Sequence, residues 1–303
     1  MSNEDMVTSR RSLLAAAPMM AGVLGMGLAA TQEARAEGEA ASKTDTFERM
    51  MSTGKLRLGV ANLEPYYYKD VTNSDAPGGV AQDGVTWRGM GVAIGKLIAD
   101  QIGVKLDIVE STWPNAVAAL QSDQADVFFF LDGTPKRATA VDFLPVATAW
   151  TSIGLLVRDD ANITNWKDVD KPDFQIAVGQ GGSPESFLRG QLPNGKLVAF
   201  QANAEGYAAF QSGRVNAYGG SGMELTLAQA KLGMGKVVLP KPAIGYPSGT
   251  GIRFEPGGRF KSFLTTAISY LYFSGQIEAG YREFLEFRGI KGDNIIPIMR
   301  ERW

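Results

Sequence analysis

An arginine follows a run of four apolar residues in the stretch VFFFLDGTPKRATAVDF, residues 127–143. The guanidinium of Arg137 can form two parallel hydrogen bonds to one carboxylate, a geometry that a lysine cannot reproduce. Asp132 precedes it, and Gly133 and Pro135 between them favour a turn. The pattern therefore indicates a charged loop at the end of a buried strand, where an anion could bind. A solvated arginine at a helix start is the alternative.

A second stretch, QIAVGQGGSPESFL at residues 175–188, combines an apolar strand, a glycine-rich turn and a helix start. Ser183 can act as the N-cap residue, and Pro184 suits the first helical position. The N–H groups at a helix N-terminus favour an anion. The local residues alone fit an anion site and an ordinary helix cap equally well.

His and Cys are both absent from the sequence. Without them there is no imidazole base, thiolate nucleophile or disulfide, so zinc sites, haem ligation and Ser-His-Asp catalysis are excluded. The calcium-loop pattern is missing as well, and we expect neither a cofactor nor a metal. A net charge of −2 and a pI near 5.4 provide no basic field that would attract a nucleic acid.

Short apolar runs typical of strands alternate with helical patterns along the chain. The clearest helix is VAIGKLIADQI at residues 92–102, where apolar residues recur at helical spacing. The strand-like runs are residues 56–61, 106–109, 127–130, 153–157, 175–178, 197–200 and 236–239. This alternation predicts an α/β protein with largely parallel sheets, whose ligands bind beyond the carboxyl ends of the strands.

An internal similarity suggests two units of the same construction. AALQSDQADV (residues 118–127) and AAFQSGRVNA (residues 208–217) align without gaps, and each has the pattern of a helix end, a polar turn and a strand entry. Such joints are common, so a chance similarity is the alternative. Two lobes of the same construction would enclose a ligand cleft between them.

Residues 1–36 have the pattern of an export signal. Arg10 and Arg11 precede a run rich in Ala, Gly and Met, and the triplet ARA ends at Ala36 as an A-x-A cleavage site. The arginine pair resembles a twin-arginine signal. A single membrane anchor is the alternative, although the run is short for that purpose. We expect a mature chain that is not inserted in the membrane and is located in the periplasm.

Six segments of the chain occur in the order known from one protein family. They are KLRLGVANLEPYYY, WPNAVAALQSDQADV, GTPKRATAVDF, QIAVGQGGSPESFL, GIRFEPGG and YLYFSGQIEAGYREFLEF. Residues 54–287 thus resemble the family 3 extracellular solute-binding proteins, the amino-acid-binding components of ABC importers. The resemblance implies an α/β fold of the type II periplasmic binding proteins, with two lobes joined by two crossing strands that close on a ligand. The register predicts residues 50–148 with 250–303 as lobe 1 and residues 149–249 as lobe 2.

The resemblance also implies roles for individual residues. Arg137 occupies the position that grips the α-carboxylate of the ligand. Gly181, Gly182 and Ser183 stand where the family offers backbone N–H groups to the same carboxylate from across the cleft. Trp113 and Tyr66 align with aromatic residues that sandwich the ligand in relatives, and an aromatic face can hold apolar atoms or an ammonium.

Two positions depart from the family pattern. Asp132 stands where the family has a Ser or Thr that helps hold the ligand amino group, and Ser221 stands where the family has an amine-binding Asp. We therefore predict that a carboxylate has moved from lobe 2 to lobe 1 and still neutralises an ammonium, since an unpaired buried charge is costly. Glu64 could supply a second acid for a cationic side chain; a solvated loop acid is the alternative.

These features predict a monomeric periplasmic receptor that captures a small zwitterion, most simply a polar or cationic amino acid. It would deliver this ligand to an inner-membrane ABC permease and perform no chemistry. A compatible solute such as a betaine or ectoine fits the same groups. Further alternatives are a dehydratase with Asp132 or Glu64 as its general acid and an adaptor that presents the closed form to a receptor. Residues 70–88 and those after Phe287 carry no assignment.

Overall fold

The computed structural model describes residues 45–292 and 295–303, so the predicted export signal lies outside the described residues. The strands are β1 (Lys55–Val60), β2 (Tyr68–Asp70), β3 (Val80–Gln82), β4 (Val85–Arg88), β5 (Lys105–Glu110), β6 (Val127–Phe129), β7 (Asp142–Phe143), β8 (Ala149–Val157), β9 (Gln175–Gly179), β10 (Lys196–Phe200), β11 (Ala217–Ser221), β12 (Lys236–Val238), β13 (Ile244–Ser248) and β14 (Thr250–Ile252). The helices are α1 (Thr46–Thr53), α2 (Met90–Ile102), α3 (Ala116–Gln121), α4 (Pro135–Ala138), α5 (Ser183–Gln191), α6 (Asn203–Gln211), α7 (Gly222–Leu232), α8 (Arg259–Phe273) and α9 (Gln276–Phe287). Each predicted strand-like run overlaps one of these strands.

The first sheet has the strand order β5-β1-β6-β14-β7. β1 runs parallel to β5 and β6, whereas β14 runs antiparallel to β6 and β7. Leu56 and Leu58 on β1 are fully buried in one hydrophobic cluster with Ile94 and Ile98 of α2. The apolar face of this helix thus covers the sheet, as its sequence spacing predicts.

The second sheet has the order β10-β9-β11-β8-β12, with β13 also paired to β8. β9 runs parallel to β10 and β11, and β8 runs antiparallel to β11, β12 and β13. Ile153 and Leu155 on β8 belong to a separate hydrophobic cluster with Ile176 of β9 and Leu188 of α5. Each sheet therefore has its own core, which is the condition for two lobes.

The chain crosses between the two sheets twice, after β7 and between β13 and β14. The crossing segments are bonded to each other: the Thr148 N–H donates to the Ser248 carbonyl at 2.8 Å, and the Thr148 and Thr250 hydroxyls lie 2.5 Å apart. The Thr151 hydroxyl lies 2.9 Å from that of Ser248. All four side chains are buried. The predicted architecture of two α/β lobes joined by two crossing strands is confirmed.

The internal similarity corresponds to one repeated joint. Asp123 follows α3 with a φ of 59°, and Gly213, at the aligned position after α6, has a φ of 77°. The Asp123 N–H donates to Leu120 at 3.2 Å, and the Gly213 N–H donates to Phe210 at 3.1 Å. Both helices thus end in the same left-handed turn before their chains enter β6 and β11.

The unassigned segment at residues 70–88 forms a small sheet of its own, in the order β2-β4-β3. Arg88 pairs with Asp70 at 3.0 Å, and both side chains are buried. The same guanidinium donates to the carbonyls of Ser74 and Ala76. Trp87, which is 3% exposed, belongs to the hydrophobic cluster of the first lobe.

Membrane insertion of the mature chain is not expected from the sequence. In the part of the chain that the structure describes, no helix combines the length and the apolar character that a membrane span requires.

Candidate functional site

Three aromatic side chains gather where strands of the first sheet end. Tyr66 follows β1, Trp113 follows β5, and Phe130 follows β6 directly with a φ of 61°. The Tyr66 ring lies 4.9 Å from the ring of Phe130 and 6.2 Å, edge to face, from that of Trp113. The Nε1 of Trp113 is buried and has no hydrogen-bond partner among the described residues. An acceptor on a ligand would satisfy this donor.

Asp132 and Arg137 lie together at the point where the two lobes meet. The Arg137 Nη1 donates to the backbone carbonyl of Asp132 at 2.8 Å, and the hydroxyl of the N-cap residue Thr134 accepts from the Arg137 N–H at 3.2 Å. The Gly249 N–H, on the second crossing, donates to the Asp132 carboxylate at 3.1 Å. Burial raises the pKa of Asp132, and the Gly249 N–H and Arg137 oppose that rise. The acid is therefore placed where a change in the lobe angle would alter its surroundings.

The glycine-rich turn of the second lobe differs in detail from the prediction. α5 begins at Ser183 with Gly182 as its N-cap residue, and Pro184 is the second helical residue. The Gly181 N–H donates to the Glu185 carboxylate at 2.6 Å, and that carboxylate also pairs with Arg189 at 2.6 Å. Ser183 is not the cap, because Gly182 already has the extended backbone that an N-cap residue adopts. The turn that the sequence predicts to bind an anion thus donates one of its N–H groups, that of Gly181, to Glu185 of its own helix.

Tyr246, on β13, connects these groups and was not singled out from the sequence. Its hydroxyl lies near those of Ser183 and Thr151, which oppose a rise in its pKa, and its ring stacks on Phe187 at 5.4 Å. The hydroxyl of Tyr66, from the first lobe, also interacts with Thr151. Burial, with a smaller effect of the nearby Asp132 charge, raises the pKa of Tyr246. The only signal for this residue in the sequence was its place in the predicted second crossing.

An open pocket of about 510 Å³ lies beside this cluster. Asp132, Ser183 and Tyr246 supply its polar lining, and Phe143 and Phe187 contribute apolar walls. Its size is that of a site for a small molecule. The structure therefore brings Asp132 and Ser183 to one cavity from opposite lobes.

Ser221 occupies a structural position. It is 8% exposed and is the N-cap residue of α7, where its hydroxyl accepts from the N–H of Glu224 at 3.2 Å. The Glu224 carboxylate accepts from the Nδ2 of Asn203 at 2.9 Å and from the Tyr207 hydroxyl at 3.0 Å. Burial raises the pKa of Glu224, and its charge is felt by both Tyr66 and Tyr246. An acid of the second lobe thus lies one turn beyond the serine.

The sequence carries a signal for this acid that the prediction missed. SGME, residues 221–224, has the S-x-x-E pattern of a capping box at a helix start. That pattern predicts a cap at Ser221 and an acid at Glu224, on the first turn of a helix that follows a strand. Lobe 2 therefore has an acid, Glu224, close to the position of Ser221.

Glu64 does not join the other candidates. Its carboxylate accepts from the Nε of Arg288 at 2.9 Å, and the Arg288 guanidinium lies over the ring of Tyr68 at 4.9 Å. The opposite charge at the end of α9 holds Glu64 on the outside of the first lobe. It is placed neither beside Asp132 nor beside Glu224.

The geometry is that of a cleft between two α/β lobes that suits a small polar molecule. The model of the bacterial extracellular solute-binding proteins, family 3, matches residues 69–287. The chain belongs to this family. The family 3 solute-binding proteins capture ligands outside the cytoplasmic membrane, which agrees with the predicted class of protein.

Relatives of this family 3 protein include binders and an enzyme. The cyclohexadienyl dehydratase of Pseudomonas aeruginosa is 22% identical over 173 residues, which cover 56% of this chain and 60% of the dehydratase. The structure of an ancestral cationic amino acid solute-binding protein is similar, with a TM-score of 0.62 and 25% identity over 79% of this chain and 99% of that one. A substrate-binding protein of an amino acid ABC transporter from Streptococcus pneumoniae, bound to L-arginine, shares the fold, with a TM-score of 0.54 and 20% identity over 80% of this chain and 98% of that chain.

The charges of Asp132, Arg137 and Glu224 in this solute-binding protein do not cancel. Asp132 and Glu224 each contribute a carboxylate, and Arg137 contributes one guanidinium, whereas Glu185 is already paired with Arg189. When both acids are ionised, these three groups leave one negative charge in excess. Burial of each acid raises its pKa, because the ionised form is poorly solvated.

Proposed function

We propose that this protein is a receptor for a small zwitterion with net positive charge, a cationic amino acid in the simplest case. The observation that carries the proposal is the excess of one carboxylate over the guanidinium at Asp132, Glu224 and Arg137. A ligand with one carboxylate and two cationic groups would leave no buried charge uncompensated. A neutral zwitterion would leave one acid without a counter-charge.

Each part of such a ligand has a candidate partner. Arg137 would hold the ligand carboxylate, together with backbone N–H groups at Gly182 and Ser183. Glu224 and Asp132 would receive the two cationic groups, one from each lobe. Tyr66 and Trp113 would pack against the aliphatic part of the ligand. Because Glu185 already accepts from Gly181, that N–H is not assigned to the ligand.

Capture would proceed by closure of the two lobes, here proposed as residues 50–148 with 250–303 and residues 149–249. The bonded threonines of the crossing segments, Thr148 and Thr250, would form the hinge. The closed, monomeric form would then deliver its ligand to an inner-membrane ABC permease. Membership of the solute-binding family and the likeness to transporter components support this role.

We also propose export to the periplasm by the twin-arginine route. Replacing Arg10 and Arg11 with Lys should leave the protein in the cytoplasm, since the paired arginines are the feature that this route recognises. Fractionation followed by mass measurement of the mature N-terminus tests the claim. Unchanged export of the variant would exclude the route, and a mature chain that begins elsewhere would exclude cleavage after Ala36.

A thermal-shift screen of the purified mature protein tests the ligand class. The panel contains arginine, lysine, ornithine, glutamine, glutamate, glycine betaine and ectoine. A ligand at 100 times its Kd adds about 2.7 kcal/mol to the free energy of unfolding. Stabilisation by the cationic amino acids alone is expected. Stabilisation by glutamate, or by betaine without any cationic amino acid, would contradict the proposal.

A dehydratase is the second candidate function, favoured by the raised pKa of two acids in the cleft and by the similarity to a dehydratase. A protonated Glu224 or Asp132 would donate its proton to a departing hydroxyl group, which leaves as water, while the other acid, ionised, would take a proton from the adjacent carbon so that the C–H electron pair forms the double bond. Incubation of the protein with each stabilising ligand, followed by NMR, distinguishes the two functions. A receptor returns the ligand unchanged, whereas a dehydratase yields an unsaturated product and loses turnover in Glu224→Gln or Asp132→Asn.

A further inference from the structure

The C-terminal strap, here defined as residues 295–303, is anchored on the last two helices of the first lobe. The buried Glu278 of α9 accepts from the Ile298 N–H at 3.0 Å. The Tyr272 hydroxyl of α8 donates to the Glu301 carboxylate at 2.8 Å and accepts from the Arg300 N–H at 3.1 Å. These bonds fix the course of the strap relative to lobe 1.

The same strap also contacts the second lobe at three elements, β8, β13 and α7. The Trp150 N–H, at the start of β8, donates to the Ile298 carbonyl at 2.8 Å, and the Trp303 ring lies 6.2 Å from the ring of Trp150. A Cβ added at Gly245 of β13 would lie 2.6 Å from the Trp303 ring. Contact with the second lobe therefore extends beyond the crossing segments.

Helix α7 makes the contact that bears on the ligand cleft. A Cβ added at Gly222, the first residue of α7, would lie 2.6 Å from the Ile296 side chain. The next residue, Met223, is 2% exposed and belongs to the hydrophobic cluster of the first lobe, together with Ile298. The turn of α7 that carries Glu224 is thus packed against lobe 1 and the strap.

Opening of the lobes would separate these surfaces unless the strap moved with α7. The strap is bonded to Glu278 and Tyr272, so it remains with the first lobe while Gly222 and Gly245 move with the second. Separation would expose Met223 and part of the Ile296 and Trp303 side chains to water, which is unfavourable for apolar groups. The arrangement of the lobes in this structure therefore gains an apolar contact that does not depend on a ligand.

We propose that the C-terminal strap is a latch that raises the population of the closed state before a ligand binds, and that it positions the first turn of α7. The effect on ligand affinity rests on the function proposed above, whereas the effect on the lobe angle does not. The apparent affinity of a receptor is reduced by the fraction of molecules that are not in the binding-competent state. Weakening the latch therefore weakens binding without removal of any group that touches the ligand.

Distance measurements between the lobes test the latch. Since the sequence contains no Cys, Ser122→Cys with Ser212→Cys provides two unique spin-label sites, both exposed and one in each lobe. The test variant is Ile296→Ala with Trp303→Ala, and Trp303→Ala alone is a milder second variant. The matched control is Ile290→Ala with Phe273→Ala, which removes the same kinds of side chain from the first lobe. Circular dichroism and thermal melting confirm that each variant is folded.

In the ligand-free protein, the strap variants should gain a population with longer interlobe distances, while the control keeps the wild-type distribution. Titration with L-arginine should then give an affinity about three- to tenfold weaker in the strap variants, with faster dissociation. A lower melting temperature with an unchanged distance distribution would overturn the latch and leave the strap as a stabiliser of the fold. If the distances change in the strap variants but no form of the protein, wild type included, binds arginine, the result would support the latch and contradict the proposed ligand.

Discussion

The Ser221 hydroxyl accepts the N–H of Glu224 at 3.2 Å, so the serine caps the helix that presents the acid. Lobe 2 thus has a serine at position 221 and a carboxylate three residues later, at Glu224. Asn203 and Tyr207 then direct that carboxylate by hydrogen bonds. We propose that Ser221 as the cap and Glu224 as the acid, from one four-residue pattern, take the place of the single aspartate expected from the family pattern.

Glu224→Gln should weaken the binding of a cationic ligand more than Asp132→Asn does, because the positive charge of Arg137 already stabilises ionised Asp132, whereas ionised Glu224 is stabilised by neutral hydrogen-bond donors. Loss of one member of a buried charge pair costs roughly 2 to 5 kcal/mol in binding free energy. Isothermal titration with L-arginine measures the loss. Glu205→Gln, an exposed acid on α6 in the same lobe, is the control. Wild-type affinity in Glu224→Gln would remove this acid from the site.

Arg137→Ala should lower the affinity by about 30-fold to several thousandfold, which corresponds to the same roughly 2 to 5 kcal/mol. Arg137→Lys should restore little of the binding, since an ammonium cannot make two parallel hydrogen bonds. Titration of both variants is compared with Lys136→Ala, which removes the neighbouring exposed cation. A folded Arg137→Ala protein that binds within about threefold of wild type would exclude a ligand carboxylate at this residue.

Ligand-induced stabilisation should grow as the pH rises. Burial raises the pKa of Asp132 and of Glu224 above their ordinary values of 3.8 and 4.5. In the ligand-free protein, the stability that these groups contribute is fully present below the ordinary pKa and is lost as the pH rises through the raised pKa. A cationic ligand requires the ionised forms, so it binds better above the raised pKa.

Melting curves with and without L-arginine between about pH 4 and about pH 7.5 measure this effect. The difference in melting temperature should increase across the range in the wild type. In the double variant Asp132→Asn with Glu224→Gln, this difference in melting temperature should be smaller and should change less with pH. A difference that is constant with pH in the wild type would show that neither acid titrates on binding.

The helices and strands of this chain were predictable because apolar residues recur with the period of each element. α2 and β9 are clear examples, with the predicted runs inside the observed elements. The two-lobe architecture was predicted from the resemblance to the solute-binding family, which six segments in the family's order carry. The course of the chain after Phe287 was not predictable, since its few apolar residues carry no period and are buried only by contact with both lobes.

Prediction of the site was less complete. Asp132 and Ser183 share a pocket as expected, but Glu64 instead forms a pair with Arg288, a residue far away in the sequence. Long-range charge pairs of this kind leave no local pattern. Tyr246 was missed for the same reason, because only the fold brings it to Ser183 and Asp132. Glu224 did have a local signal, the capping box that begins at Ser221.

Closure of the lobes on a ligand is expected from the crossing segments at Thr148 and Thr250. Small-angle X-ray scattering of the mature protein should give a smaller radius of gyration with saturating ligand than without it. If the latch holds most molecules closed, the difference should be larger in Ile296→Ala with Trp303→Ala than in the wild type. Equal radii with and without ligand in that variant would argue against hinge closure and against the proposed lobes.

The comparison of L-arginine with L-citrulline tests the central claim most directly, because citrulline has nearly the same shape and lacks the side-chain charge. Calorimetric titration of the wild-type protein should show arginine binding at least about 30-fold more tightly, since only arginine offers a counter-charge to the second buried acid. Lysine and norleucine, which has the same carbon chain without the ε-ammonium group, provide an independent pair for a receptor that prefers an ammonium. Equal affinity for the charged and neutral members of both pairs, or preference for the neutral ones, would contradict a receptor for cationic zwitterions.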